Sequence, residues 1–332
     1  IIYTADYHWI IDYNKLKEFD FQKNVKEFLV SRLDIFDNDE KNILALASIL
    51  GNEFDLSFLK ELIQGKFEFS QVVYTIDKAL QEGILEKYIL ENRSIYSFTH
   101  NKIKSVLTTE IIDDISGLHL LCAQTLEKRN NPEKVYDIAY HYSMTDKLDK
   151  YIEYCRLAYK QAISQFSLHL AIHYMKELLL FLDQKKYLHE IISLVIEMVK
   201  YMQISGDLQS PESYIESALK LCDQNKLEED KIELYLLMGL NSHYKNDTEK
   251  ALQYYQEALD TAAKINKEIT VSYPYRIIGK TYIFSYKNKE ARFYLEKAIL
   301  YADPSDISDF LQSHAFYIYT AVWYGDFDRV FN

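Results

Sequence analysis

The chain is predicted to be mainly α-helical, with a small strand-bearing domain in its first third and a helical solenoid over the remainder. Three observations carry that prediction. Only 8 glycines and 4 prolines occur in 332 residues, which is too few turn formers for a many-stranded barrel and suits helices joined by short polar turns. Apolar residues recur at helical spacing along most of the chain. From Ala171 onward, small residues return at intervals of 40, as they do where helical hairpins stack on one another.

Composition narrows the class further. A chain that is 48% hydrophobic and 14% aromatic has the apolar surface to fold, as two or three domains or as one elongated array. The formal charge of -12 gives no bulk attraction to nucleic acid or to an anionic membrane, so only a local basic patch could serve either. Cys122, Cys155 and Cys222 lie far apart without a CxxC, which predicts free, buried thiols and a cytoplasmic chain rather than a disulfide scaffold. No apolar run reaches the roughly 20 residues of a membrane span, and "IIYTADYHWIIDY" lacks the basic start and small-residue exit of a signal peptide. The absence of an initial Met is consistent with a piece of a larger protein.

Residues 1–35 are read as a linker followed by a helix, in which Val25, Phe28, Leu29 and Leu33 share one face. Residues 36–100 hold three helices and a hairpin. The phrase "DEKNILALASILGNEFDLSFLKELI" gives one apolar helix ending near Gly51 and a second capped by Asp55 or Ser57. "SQVVYTIDKALQEGILEKYI" gives a third, with Val73, Ile76, Leu80 and Ile84 on one side. "ILEKYILE" and "RSIYSFTH" are short β-forming segments around the polar turn "ENRS". Three helices and a small hairpin make a winged helix-turn-helix.

Residues 101–131 continue as connecting helices, over about 100–113 and 117–128, with Ile103, Val106 and Leu107 as the buried face of the first. Residues 132–332 form the solenoid. "EKALQYYQEALDTA" and "KEARFYLEKAILYA" place Ala251 and Ala258 against Ala291 and Ala298, and the same step leads back to Ala218, Leu178 and Ala171. Gly239 and Gly279 each stand 12 residues before the opening alanine. Small residues at fixed positions let the two helices of a hairpin approach closely. The last unit, "FYIYTAVWYGDFDRVFN", keeps a first helix and a Gly325-Asp326 turn. Val330 would occupy the place of Ala291, so the array is read as truncated within a repeat.

Tyr235, Gly239, Ala251, Tyr255 and Ala258, followed by Tyr275, Gly279, Tyr282, Ala291, Leu295 and Ala298, resemble the tetratricopeptide repeat, stretched beyond its usual 34 residues. Upstream, "FLVSRLDIF", "EKNILALASILGNEFDLSFL", "YSFTHNKIKSVL", "LHLLCAQTLE" and "VYDIAYHY" follow one another as in the region behind the ATPase core of STAND-class signal-transduction ATPases. In that family an AAA-like ATPase is followed by a winged helix and tetratricopeptide repeats, often with a kinase, cyclase or DNA-binding output. The resemblance implies an ATPase domain upstream as a partner in cis, with ATP or ADP and Mg bound there. No GxxxxGKS/T occurs in this sequence, so no phosphate cradle is expected in this segment and no catalysis of its own.

Candidate chemistry is sparse. His100 follows the last wing strand, where an imidazole beside Thr99 and Asn101 could tie the wing to the next helix. Contact with a nucleotide-bearing neighbour in a longer protein is the alternative, and a general base would lack a nucleophile or oriented acid nearby in sequence. His169 and His173 are four apart on a helix, as metal ligands can be, but without an HExxH glutamate. Tyr140, His141 and Tyr142 are read as core and its flank. The third helix of the winged domain has only Lys78 as a base, beside Asp77 and Glu82, which disfavours nucleic acid as a partner.

The solenoid's concave side is the leading candidate for binding a peptide or protein. By repeat position it exposes Leu240, His243 and Tyr244, then Tyr273, Arg276, Lys280 and Phe284, then Tyr319 and Trp323. Aromatic anchors with two cations suit an extended acidic or aromatic-containing ligand. With 29 tyrosines in the chain, ordinary packing is the competing reading. The expected function is a non-catalytic regulatory and protein-interaction segment of a multidomain signalling ATPase, coupling a partner-sensing arm to nucleotide state. A free-standing repeat adaptor and a winged-helix DNA-binding regulator are the alternatives.

Overall fold

The computed structural model of the chain describes residues 2–5, 8–11 and 31–324, except 52, 64, 91–92, 111–113, 268 and 270. Two compact units divide between Tyr154 and Cys155.

In the first unit, strands β1 (Ile2–Ala5) and β2 (His8–Ile11) pair antiparallel with Ile2 opposite Ile11. This pair falls in the segment read as a linker. The helix expected around Val25, Phe28 and Leu29 lies outside the described residues.

Helix α1 (Asn38–Ile49) begins at a capping box: Glu40 N–H donates to Asp37 Oδ1 at 2.8 Å and Asp37 N–H donates to Glu40 Oε2 at 2.9 Å. Strand β3 (Glu53–Asp55) leads directly into α2 (Leu56–Ile63), where Asp55 Oδ1 accepts from Phe58 N–H at 2.7 Å. Asp55, rather than Ser57, therefore caps this helix. Burial opposes charge on that carboxyl, but the Ser57 and Phe58 hydrogen bonds and the nearby Arg129 outweigh it and hold the group below the usual carboxylate range.

Helix α3 (Phe69–Gln81) ends at Gly83, whose φ of +63° allows Ile84 N–H to donate back to Ala79 C=O at 2.9 Å. Strands β4 (Leu85–Leu90) and β5 (Arg93–Phe98) form the wing hairpin. β3 adds to the free side of β5 with Phe54 opposite Tyr96, giving the sheet order β3-β5-β4. The sequence predicts the three helices and the hairpin, and the structure adds this third strand. Phe54, Tyr96 and Phe98 then close one core with Ile43, Leu44, Leu59, Ile76 and Ile103.

Thr99 makes the joint from wing to α4 (Asn101–Glu110). Its N–H donates to Ile84 C=O at 3.0 Å and its hydroxyl donates to Gly83 C=O at 2.9 Å. His100 is exposed and contributes its carbonyl, which accepts from Ile103 N–H at 3.0 Å. The backbone and Thr99 thus do what the sequence reading gave to the imidazole. Helices α5 (Ile115–Arg129) and α6 (Val135–Ser143) follow, and α7 (Leu148–Ser164) crosses the unit boundary.

The second unit is a run of antiparallel hairpins: α8 (Leu168–Phe181), α9 (Leu188–Ile204), α10 (Pro211–Asn225), α11 (Glu228–Tyr244), α12 (Thr248–Lys264), α13 (Ser272–Phe284), α14 (Asn288–Leu300) and α15 (Ile307–Tyr324). The repeat is written in the backbone as well as in the small residues. Phe166, Gly206, Asn246 and Tyr286, spaced 40 apart, all take positive φ, at +56°, +84°, +61° and +57°. After each, the next N–H returns to a carbonyl five residues back: Ser167 to Ala162, Asp207 to Met202, Asp247 to Ser242 and Lys287 to Tyr282, at 2.8–2.9 Å. These are Schellman-type helix ends, which favour Gly or Asn because a Cβ is strained there.

Phe166 and Tyr286 break that preference while remaining 90% and 83% exposed. Phe166→Gly and Tyr286→Gly are each expected to stabilise the second unit by about 1 kcal/mol. The check is chemical denaturation, in which the midpoint should move up at unchanged slope.

Between the helices of a hairpin, the small residues meet large ones. A Cβ on Gly239 would lie 2.4 Å from Tyr255 Cε1, and one on Gly279 would lie 2.7 Å from Leu295 Cγ. Ala171, Ala218, Ala251, Ala258, Ala291 and Ala298 are all buried. Close helix approach is thus the cause of the 40-residue lattice.

Candidate functional site

The first helices of successive hairpins, α9, α11, α13 and α15, touch one another in addition to their own hairpin partners. Side chains link them directly. Lys200 Nζ pairs with Glu233 Oε1 at 2.6 Å from α9 to α11, and Gln203 Nε2 donates to Leu237 C=O at 3.0 Å. Arg276 on α13 hydrogen-bonds Gln312 on α15. Lys280 Nζ lies 5.5 Å from the ring centre of Phe316.

The predicted interaction residues fall on these helices in three groups. His243, Tyr244, Tyr273, Arg276 and Lys280 form an electrostatically connected cluster across α11 and α13. Burial first, then Lys280 and Arg276, lowers the pKa of His243 and keeps its ring neutral near pH 7. Burial pushes the Tyr273 phenol up, aided by Glu233 and Tyr244. Phe284, 71% exposed, sits at the end of α13, and Leu240 is half-buried on α11. Tyr319 and Trp323 stack on each other along α15, with ring centres 6.2 Å apart.

Beneath the cluster lies Tyr255, one of the residues that carry the repeat resemblance and not among the predicted interaction residues. Its side chain is fully buried and its ring meets Tyr273 edge-on at 6.3 Å. Its hydroxyl has no hydrogen-bond partner among the described residues, and neither does Asn241 Oδ1 on α11. Unpaired buried polar atoms are uncommon and costly. Burial, followed by Tyr273 and Tyr244, holds this phenol un-ionised despite the opposing field of Arg276.

A cleft of about 440 Å³ opens beside the cluster. Ile232, Leu236, Leu237 and Ile269 are among its apolar lining, while Lys200, Glu233, Lys267 and Glu229 stand around it in ion pairs. Of the residues predicted from sequence, only Tyr273 lines this cleft. Its position depends on Lys267 and Ile269 lying against Glu229, Ile232 and Leu236 of α11, for which the repeat pattern gives no signal.

Elsewhere, Lys78 turns inward. Its Nζ pairs with the buried Glu40 at 2.7 Å and donates to Ile35 C=O at 2.9 Å. Helix α3 is left with Tyr74, Asp77 and Gln81 among its exposed residues. His169 and His173 are exposed on α8, and no group of three potential metal ligands occurs among the described residues. Cys122, Cys155 and Cys222 are buried, as expected, and none forms a disulfide among the described residues. Among the described residues no helix is long and apolar enough to cross a membrane.

No protein-family model and no curated protein matches the chain. Solved structures show distant likenesses. BtubC (BKLC) from P. vanneervenii is 17% identical, with a TM-score of 0.43 over 62% of this chain and 84% of that one. A STAND protein with a tetratricopeptide-repeat sensor from Pyrococcus horikoshii is 14% identical, with a TM-score of 0.40, matching 94% of this chain to 51% of its own. PlcR from Bacillus thuringiensis, solved with the peptide PapR7 and DNA, is 15% identical, with a TM-score of 0.37 over 79% and 92%. The fold itself is mainly α, with a small three-stranded sheet followed by stacked helices. A helical-repeat module for protein interaction is consistent with it.

Proposed function

We propose that this segment is a regulatory, protein-holding part of a signalling ATPase, in which the helical array binds an extended acidic peptide bearing an aromatic residue. The observation that carries the reading is the α11–α13 cluster. Arg276 and Lys280 supply positive charge in a chain of net charge -12, and Tyr244 and Tyr273 supply rings beside them. The unpaired Tyr255 hydroxyl adds a buried polar atom under the same face. An acidic aromatic segment would meet both the cations and the rings.

The inward Lys78 supports an interdomain rather than DNA-reading role for the winged helix, since the lone cation of α3 is taken up by Glu40. Order and spacing of the phrases between Phe28 and Tyr142 support the signalling-ATPase part of the reading. Nucleotide and Mg would belong to a domain upstream. The coding region about 300 residues upstream, room for one or two domains, should carry a P-loop.

Fluorescence anisotropy tests the binding surface. The probes are extended peptides with Asp and Glu around one Phe or Tyr. The Arg276→Glu/Lys280→Glu variant should bind them at least tenfold more weakly at low salt while keeping its circular dichroism. Equal binding by the variant, or by peptides with Lys in place of the acids, would rule the surface out.

A further inference from the structure

We propose that the buried pair His119–His141 is an acid-sensitive latch, which holds α5 to α6 while both imidazoles are neutral and releases that joint when they take up protons. His119 comes from α5 and His141 from α6. Their Nδ1 atoms are 2.8 Å apart, and the residues are 4% and 3% exposed. The ring centres are 5.1 Å apart, and Tyr140 packs edge-on against His119 at 5.7 Å.

A contact of this length between two ring nitrogens requires one proton between them. One ring donates its Nδ1–H and the other accepts at Nδ1. Doubly protonated, the pair would set two N–H donors and two like charges face to face in a site closed to water.

Even the first charge is opposed. Lys104, reaching in from α4, acts on both rings, and only Asp137 on α6 favours charge on His141. Among the described residues these are the charged groups that act on the pair. Cys122, one turn further along α5, stays a thiol because burial pushes it up to about 12. Burial and then Lys104 lower His119; burial, His119 and Lys104 together bring His141 down to about 4.

The direction of the effect follows. An unfolded histidine titrates near 6.5, so between about 6.5 and 4 the open chain binds protons that the closed joint refuses. The latch contributes fully above about pH 6.5 and weakens as pH falls, by up to tenfold in the closed-to-open ratio per pH unit per histidine. A second tie between these helices does not follow the same course. Glu127 on α5 accepts from Tyr142 Oη at 2.7 Å and from Lys150 Nζ at 3.2 Å. Burial alone would raise this carboxyl, but hydrogen bonds from Tyr142, Lys150 and Tyr154 outweigh it, so the carboxylate persists where the histidines charge. Release is therefore confined to the histidine end of the joint.

Amide hydrogen exchange and nitrogen-15 imidazole NMR on the whole chain, from pH 7.5 to 4.5, test the latch. The expected result is neutral rings at pH 7.5, with α5 and α6 losing protection below about pH 6.5 in step with ring protonation. His119→Asn/His141→Asn, whose amides can form an uncharged hydrogen bond, should flatten that loss. Lys104→Met should raise the rings' titration toward 6.5 and shrink the loss. Rings that titrate near 6.5 in the native chain with no loss of protection would overturn the proposal, whether or not the double variant folds. So would an equal loss in a folded double variant.

Discussion

Gly239→Ala is expected to cost about 3 kcal/mol, near the upper end of overpacking penalties. The new methyl would stand 2.4 Å from Tyr255 Cε1, well inside contact distance. Tyr255 cannot swing aside because it is fully buried among Ala251, Ala258, Ile278 and their neighbours. Thermal unfolding should register a drop of roughly 6–12 °C for a unit of this size. The cause is separable by a double-mutant cycle. Tyr255→Leu in the Gly239→Ala background should recover part of the loss, whereas purely additive effects would mean that the two residues do not press on each other. Gly279→Ala is expected to cost less, because the nearest atoms belong largely to Leu295, a more pliable side chain.

Ile103→Ala should destabilise the first unit by about 3 kcal/mol through the cavity it leaves. Ile103 is wholly buried in the core shared by the three-helix domain and its sheet. Helix α4 packs on α1, where Ser48 Oγ and Thr108 Oγ1 are 2.8 Å apart, so the cavity opens at a joint that is already fixed by a hydrogen bond. Lys102→Ala, one residue away and exposed, should stay within about 0.5 kcal/mol. Denaturant midpoints of the two variants would show the contrast, and similar values would mean that α4 is not anchored by its apolar face.

What could be read from the sequence follows from how local its cause is. The helical array was legible because each hairpin repeats the same crossing, and the crossing demands Gly or Ala at fixed positions such as Gly239, Ala251 and Ala258. The winged domain was legible where helical spacing or β-forming runs extend over several residues. Strand β3 was not, since "EFD" between two helices is too short to show alternation and becomes a strand only by pairing with β5. Similarly, β1 and β2 are four residues each, within a segment read as a linker.

The candidate site was partly legible for the same reason. Repeat position put His243, Tyr244, Tyr273, Arg276 and Lys280 on one pair of helices, but it could not show that Tyr255 lies beneath them with an unpaired hydroxyl. That depends on the packing of α12 against α11 and α13. The histidine pair was hidden more completely. His119 carried no signal in "LHLLCAQTLE", and His141 was read as packing. Their partnership spans 22 residues and exists only because α5 and α6 fold back on each other.

The most direct test of the binding account is hydrogen exchange on the whole chain with and without an acidic, aromatic-containing peptide. Added protection is expected at residues 240–244 and 273–284 alone, and is expected to be absent in Arg276→Glu/Lys280→Glu. Protection on α3 instead, or none at peptide concentrations that saturate the anisotropy signal, would contradict it.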